Sequence, residues 1–187
     1  MQNETGKKAV VILGSPRKNG NSATLAKQAA SGITATGGSI ETFYLNGMNI
    51  RPCQGCDHCR RHPEKGCCLK DDMKQIYDSL AASNALLIAG PIYMFSVSAQ
   101  LKLFMDRCYA APAALYGKRI GILLTYNDVD IFESGAVNAI ASMRDEYRYK
   151  QAVIVGIVHG SADAAGEIAS NKRVMEDAYA LGLKIFG

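Results

Sequence analysis

Five of the chain's six cysteines fall within sixteen residues, in the run CQGCDHCRRHPEKGCC from Cys53 to Cys68. Thiols at this density can hold a metal, form disulfides or act as a redox switch. Cys53, Cys56 and Cys59 stand at C-x2-C-x2-C spacing; Cys67 follows after seven residues, with Cys68 directly behind it. Residues 1–8 are polar and lead into an apolar run of five residues, too short for a secretory core, and no apolar stretch is long enough to span a bilayer. A cytoplasmic location is expected, where thiols stay reduced and metal binding is favoured over disulfides.

A second group with chemical potential is GSPRKNGNSATLAKQ, residues 14–28, which follows an apolar run and opens a helical pattern. A helix start offers unpaired N–H groups and a positive dipole end, both suited to phosphate. Ser15, Arg17, Asn21 and Ser22 can each reach phosphate oxygens, with Arg17 supplying charge and bidentate geometry. The alternative is a polar turn in which Ser22 caps the helix. A Walker A loop is excluded, because five residues separate Gly14 from Gly20 and Asn21-Ser22 follow instead of Lys-Ser/Thr. The dinucleotide fingerprint is excluded too: its glycine spacing is missing, and the second strand ends at Tyr44 and Leu45 rather than at an acidic residue.

The third group is GPIYMFSVSAQLKLFMDR, residues 90–107, where Pro91, Tyr93, Met94 and Phe95 form an apolar loop beyond another strand-length run. Such a loop can lie against a flat ring or pack into the core. The three histidines, His58, His62 and His159, are too scattered for a catalytic triad, and His159 reads as a surface loop residue.

These groups need elements to position them. Apolar runs at residues 9–13, 85–89, 120–124 and 152–158 do not alternate with polar residues, as expected of parallel strands covered on both faces. Residues 40–45 are interrupted by Glu41 and Thr42 and read as an edge strand. Between the runs lie helical stripes: Leu101, Phe104, Met105 and Cys108; Ala136, Ala139, Ile140 and Met143; Val174, Ala178, Leu181 and Ile185. Cys108 is therefore a core residue. With 187 residues, 48% of them hydrophobic, one domain over residues 1–187 is expected. A net charge of +4, spread along the chain, disfavours nucleic-acid partners. Alternation of strand and helix gives a doubly wound α/β sheet with ligands at the carboxyl ends of the strands. The irregular residues 46–70 are too long for an ordinary connection, which points to a function.

The segments GSPRKNGNS, GPIYMFSVSAQLKLFMDR and ESGAVNAI occur here in the same order as in the NADPH-dependent FMN reductase family, and the chain resembles that family over nearly its whole length. With the cysteine segment and LKDDM (residues 69–73) included, it is most similar to the iron-sulfur flavoprotein branch. The resemblance implies a flavodoxin-like sheet of five parallel strands in the order 2-1-3-4-5, with a cysteine-rich insert after strand two. It also implies FMN, its phosphate held around Ser15, Arg17, Asn21 and Ser22 and its ring resting on Pro91, Ile92, Tyr93, Met94, Phe95 and Ser96. A third set of contacts would come from Thr125, Tyr126, Asn127 and Asp128. A homodimer or homotetramer with the flavin near a subunit boundary is implied as well.

The compact cysteine triple can wrap one corner of a cubane, with a fourth ligand from Cys67 or Cys68, so a 4Fe-4S cluster on Cys53, Cys56, Cys59 and Cys67 is expected. Zinc is the structural alternative, although zinc motifs usually place two close pairs on separate knuckles; His58 and His62 are substitute ligands or solvated loop residues. A flavin exchanges electrons in pairs or singly and such a cluster only singly, which suggests an oxidoreductase passing electrons to or from a ferredoxin-like partner. The competing expectation is an NAD(P)H-dependent flavin or quinone reductase whose cysteine loop is structural. A third is a non-enzymatic redox sensor acting through Cys67 or Cys68.

Overall fold

The computed structural model describes residues 6–187, so the start of the polar leader, residues 1–5, lies outside it. The order of elements is β1 (Lys8–Leu13), α1 (Asn21–Ala35), β2 (Ser39–Tyr44), α2 (His58–Arg61), α3 (Met73–Ala81) and β3 (Ala85–Tyr93). There follow β4 (Ser96–Val97), α4 (Ala99–Arg107), β5 (Arg119–Tyr126), α5 (Ala136–Tyr149), β6 (Val153–Ser161) and α6 (Lys172–Lys184).

Five strands run parallel in the order β2-β1-β3-β5-β6. Alternate residues of β1 serve opposite faces, as a parallel strand requires. Val10 and Ile12 join a core under α3, α4 and α5, while Ala9 and Val11 join a second core under α1 and α6. The stripe residues on α4 and α5 are buried, Cys108 among them; on α6 Ala178, Leu181 and Ile185 are buried and Val174 is half-buried.

The sheet has six strands, not five. β3 continues past its apolar run to Tyr93, and Met94 and Phe95 turn it back so that Ser96–Val97 pairs antiparallel with it. Proline is tolerated inside β3 because β1 stops opposite Ala89, leaving Pro91 with a strand neighbour, β5, on one side only. The strand order reverses between β1 and β3, and a cleft opens there.

Two other expectations change. The apolar run at 152–158 forms β6 at the sheet's far edge and is half-buried, not central. It extends to Ser161, so His159 lies in the strand and not in a surface loop; its Nδ1 is 3.1 Å from the Tyr126 hydroxyl. Residues 46–70 contain α2 and a 3₁₀ turn at Pro63–Lys65, followed by α3, whose buried Met73, Ile76 and Leu80 carry an i, i+3, i+7 stripe.

Helices α1 and α6 touch at backbone level. A Cβ on Gly182 would land on the Ala29 carbonyl and 3.0 Å from Gly32 Cα. Gly182→Ala is expected to lower stability by about 1–3 kcal/mol through overpacking, read as a lower urea midpoint at unchanged slope.

Candidate functional site

Three loops leave the carboxyl ends of β1, β3 and β5 and meet around a cleft of about 350 Å³, within the size range of small-molecule sites. The first loop is shaped by its own side chains: Ser15 Oγ accepts from the Arg17 N–H at 3.0 Å, and the Tyr44 hydroxyl donates to the Pro16 carbonyl at 2.6 Å. Gly20 precedes α1 and brings no side-chain cap, so the first-turn N–H groups, which have no intrahelical acceptor, face the cleft unclaimed. Arg17 is exposed at the rim and is the one cation among the described residues lining the cleft.

The second loop is the β3–β4 hairpin. Its two turn residues, Met94 and Phe95, have φ of 44° and 64°, the left-handed pair of a two-residue type I′ turn. Side chains other than Gly and Asn rarely adopt this conformation, and each costs on the order of 1 kcal/mol. The turn therefore has outside support: Asn138 Nδ2 donates to the Phe95 carbonyl at 3.3 Å, and Gly135, at φ 72°, packs its bare Cα side against Phe95. The strained turn holds Met94 87% and Phe95 59% exposed at the cleft.

The third loop is tied to the first by the pair Ser22 Oγ and Thr125 Oγ1, 2.7 Å apart and buried. Asn127 Nδ2 donates to Asp163 Oδ1 at 3.0 Å, and Ser161 Oγ to the Asp128 carbonyl at 2.6 Å. The structure thus brings together Ser15, Arg17, Asn21, Ser22, Pro91, Ile92, Tyr93, Met94, Phe95, Thr125, Tyr126, Asn127 and Asp128; Ser96, exposed in β4, does not line the cleft. Asn21 has a different local task from the one expected of it. Its Nδ2 donates to the Ala164 and Ala162 carbonyls and its Oδ1 accepts from the Ile168 N–H, so the amide pins the loop after β6. That loop adds Ala162 and Asp163 to the cleft wall, and Ser134 comes from the turn before α5. Sequence reasoning missed Ala162 and Asp163 because they sit far along the chain with no motif of their own, and Ser134 because the ESGAVNAI segment that holds it was assigned no contact.

All five clustered cysteines line a second, smaller hollow of about 50 Å³. Cys53, Cys56 and Cys68 are exposed, Cys59 and Cys67 half-buried, and Cys56 Sγ lies 3.6 Å from Cys68 Sγ. Among the described residues no three His, Cys, Asp or Glu side chains converge on one point as ligands of a single ion. The backbone N–H of His58 and the Cys68 thiol hold Cys56 below the usual thiol range, whereas burial and then the neighbouring Cys67 raise Cys59. Behind the hollow Arg107, 2% exposed, makes a two-pronged pair with Asp71 at 2.7 and 3.0 Å. Burial alone would raise the Asp71 carboxyl; the Arg107 guanidinium and the N–H groups of Arg51 and Met73 outweigh it and hold it below the ordinary carboxylate range.

A doubly wound α/β sheet with a cleft at its switch point is the flavodoxin-like class, and solved structures bear this out. An NAD(P)H:quinone oxidoreductase from Methanothermobacter marburgensis superposes with a TM-score of 0.75 at 16% identity, covering 97% of both chains. A flavodoxin from the domain Archaea does so with a TM-score of 0.62 at 13% identity, covering 96% of both. At those identities the likeness is one of fold. The chain belongs to the NADPH-dependent FMN reductase family, whose model matches residues 7–167. It is similar to an iron-sulfur flavoprotein of Archaeoglobus fulgidus, 40% identical over 107 residues, or 57% of this chain and 53% of that protein. Another iron-sulfur flavoprotein, from Methanocaldococcus jannaschii, is 35% identical over 100 residues, 54% of this chain and 51% of the relative. The match spans about half the length of these curated relatives.

The Asp71–Arg107 pair gives a testable consequence. Arg107→Met leaves the buried Asp71 carboxylate with the half-exposed Arg51 guanidinium, 3.8 Å away, as its remaining cation and is expected to cost about 3 kcal/mol at neutral pH. Because the folded Asp71 pKa is depressed, the pair's contribution is full above the unfolded value near 4 and fades as pH falls through the folded one. Urea unfolding of both proteins at pH 7 and pH 3 is expected to show the gap narrowing in acid.

Proposed function

We propose that the chain binds FMN in the cleft and acts as an oxidoreductase whose flavin exchanges electrons with a thiolate-bound four-iron centre in the cysteine hollow. The observation that carries the first part is the polarity of the cleft. One end has the open N-terminus of α1 and Arg17; the other has the exposed Tyr93, Met94 and Phe95. That arrangement suits a molecule with an anionic phosphate and a flat apolar ring. The unclaimed N–H groups of α1, the Ser15 and Ser22 hydroxyls and Arg17 would hold the phosphate, while Asn21 keeps the neighbouring wall in place. Pro91 to Phe95 would support the ring and shield one face from water, with Thr125 to Asp128 along its edge.

FMN, when bound, supplies hydride acceptance and single-electron release. The chain's residues then need only bind, orient and exclude water; no nucleophile or general base is required. NAD(P)H, a quinone or a ferredoxin-like protein is the class of exchange partner, and the family's description as NADPH-dependent supports the first. Exposed apolar side chains at the cleft, Met94 and Phe95, with Val129 and Phe132 on the loop after β5, support a homodimer or homotetramer that covers its mouth.

For the second part the support is the donor set: five soft sulfurs around one hollow, three of them at C-x2-C-x2-C spacing. Cys53, Cys56, Cys59 and Cys67 would each take one corner, the exposed loop spreading to admit the cube. The centre would supply one-electron exchange. Helix α4, nine residues and therefore about 13 Å long, starts after Ser98, which is bonded to Gly14 next to the cleft residue Ser15, and ends at Arg107 on the hollow. A second reading, a zinc-stapled loop in a flavin or quinone reductase, is favoured by the 3.6 Å between Cys56 and Cys68 sulfurs, close to the edge of about 3.8 Å of a tetrahedron of Zn–S bonds.

Two measurements test these assignments. Arg17→Met is expected to weaken FMN binding about 10- to 100-fold, the loss of a charge-assisted contact, while riboflavin, which lacks the phosphate, binds both proteins equally; equal FMN affinity would overturn the phosphate assignment. Absorption and metal analysis of oxygen-free protein are expected to show flavin bands with a broad shoulder and about four iron per chain. Zinc without iron selects the second reading, and failure to take up FMN overturns both.

A further inference from the structure

Arg107 closes α4 with its whole side chain inside the protein, and its guanidinium is almost fully committed. Nη1 donates to the Arg51 carbonyl and to Asp71 Oδ2, both at 2.7 Å. Nη2 donates to Asp71 Oδ1 at 3.0 Å and to Cys67 Sγ at 3.4 Å. The Tyr77 hydroxyl holds the Arg107 carbonyl at 2.6 Å, fixing the backbone from which the fork projects. A guanidinium is planar and rigid. Once three of its N–H groups are placed on Asp71 and Arg51, the direction of the fourth is set, and it points at one sulfur of the cluster. Cys68, by contrast, is exposed, and its sulfur partner is Cys56.

We propose that Arg107 is a positioning residue for the cysteine centre: it holds the Cys67 sulfur through an N–H···S bond and places a fixed positive charge behind the thiolate. The inference rests on the reading of the hollow as a metal centre. Outer-shell donors orient metal ligands, and their loss typically costs 10–100-fold in metal affinity or activity. Hydrogen bonds to the sulfurs also tune the potential of an iron-sulfur centre, by offsetting the negative charge gained on reduction. The buried Asp71 has a part in this: it orients the fork and keeps the cation stable away from water.

Arg107→Lys tests the proposal in the full chain reconstituted without oxygen. Lysine keeps a positive charge opposite Asp71 but has no fork. Retained FMN binding and a cooperative melt show that the variant has folded. Such a protein is expected to hold its metal against a chelator roughly 10- to 100-fold less well than wild type, and, with iron, to have a more negative midpoint potential by EPR-monitored titration. Wild-type retention and potential in the folded variant would overturn the inference. Should Arg107→Lys not fold, Asp71→Asn/Arg107→Met removes both charges together and is read in the same way. A wild-type chain that takes up no metal sinks the metal-centre reading and this inference with it; a metal-loaded wild type with an indifferent variant sinks the inference alone.

Discussion

The Ser98 hydroxyl donates to the Gly14 carbonyl at 2.6 Å and accepts from the Leu101 N–H at 3.3 Å, with no exposure to solvent. The same oxygen caps α4 and grips the first residue after β1. The two loops at the switch point are thereby locked together, with Leu101 packed so closely under Gly14 and Gly90 that neither position has room for a Cβ. That contact, with the Ser22–Thr125 pair, sets the strained Met94–Phe95 turn and the open N-terminus of α1 in a common frame. A buried hydroxyl with both its donor and acceptor satisfied is worth more than its own bonds when it joins segments 84 residues apart.

From this fixed start α4 acts as a short beam. Its capped end is tied to Gly14 in the loop after β1, its apolar stripe packs in the core, and its last residue, Arg107, reaches under the cysteine segment. The cysteine segment has little apolar content with which to fold on itself, and α2 is a single turn. It is held instead by polar anchors: Asp71 accepts from the Arg51 N–H and from Arg107, Asp72 accepts from the Asn49 N–H, and Arg51 reaches the Lys70 carbonyl. The two ends of the insert are thus drawn to the same place, and the cysteines project from the loop between them.

Both sites follow one economy. Regular elements with satisfied backbones carry the exceptions: a left-handed non-glycine turn at the cleft, an uncapped helix start beside it, and a buried ion pair behind the thiols. Each is costly in isolation and is tolerated because neighbours over-determine it.

Much of this was legible in the residues themselves. Unbroken apolar runs marked β1, β3 and β5, because a strand covered on both faces has no polar side; the 3.6-residue stripes marked α4, α5 and α6; and the punctuation of Gly, Ser, Pro and Asn marked the loop before α1. Most of the residues lining the cleft were recognisable for the same reason, since they lie in the segments that leave the carboxyl ends of β1, β3 and β5; Ser134, Ala162 and Asp163 were not. Other features were decided only by tertiary contact. β6 is as apolar as a central strand, and only the order of pairing makes it an edge; the turn that leads into β4 is held by Asn138 and Gly135, about forty residues further along the chain. Asn21, a plausible phosphate ligand by its position, is instead claimed by carbonyls more than 140 residues away. Arg107 ends a helical stripe like many surface arginines, and nothing in its neighbours along the chain shows that Asp71 and Cys67 await it. Local sequence encodes periodicity and backbone preference, which act over a few residues, whereas the partner of a buried polar group is selected by whatever the folded chain brings within about 3 Å.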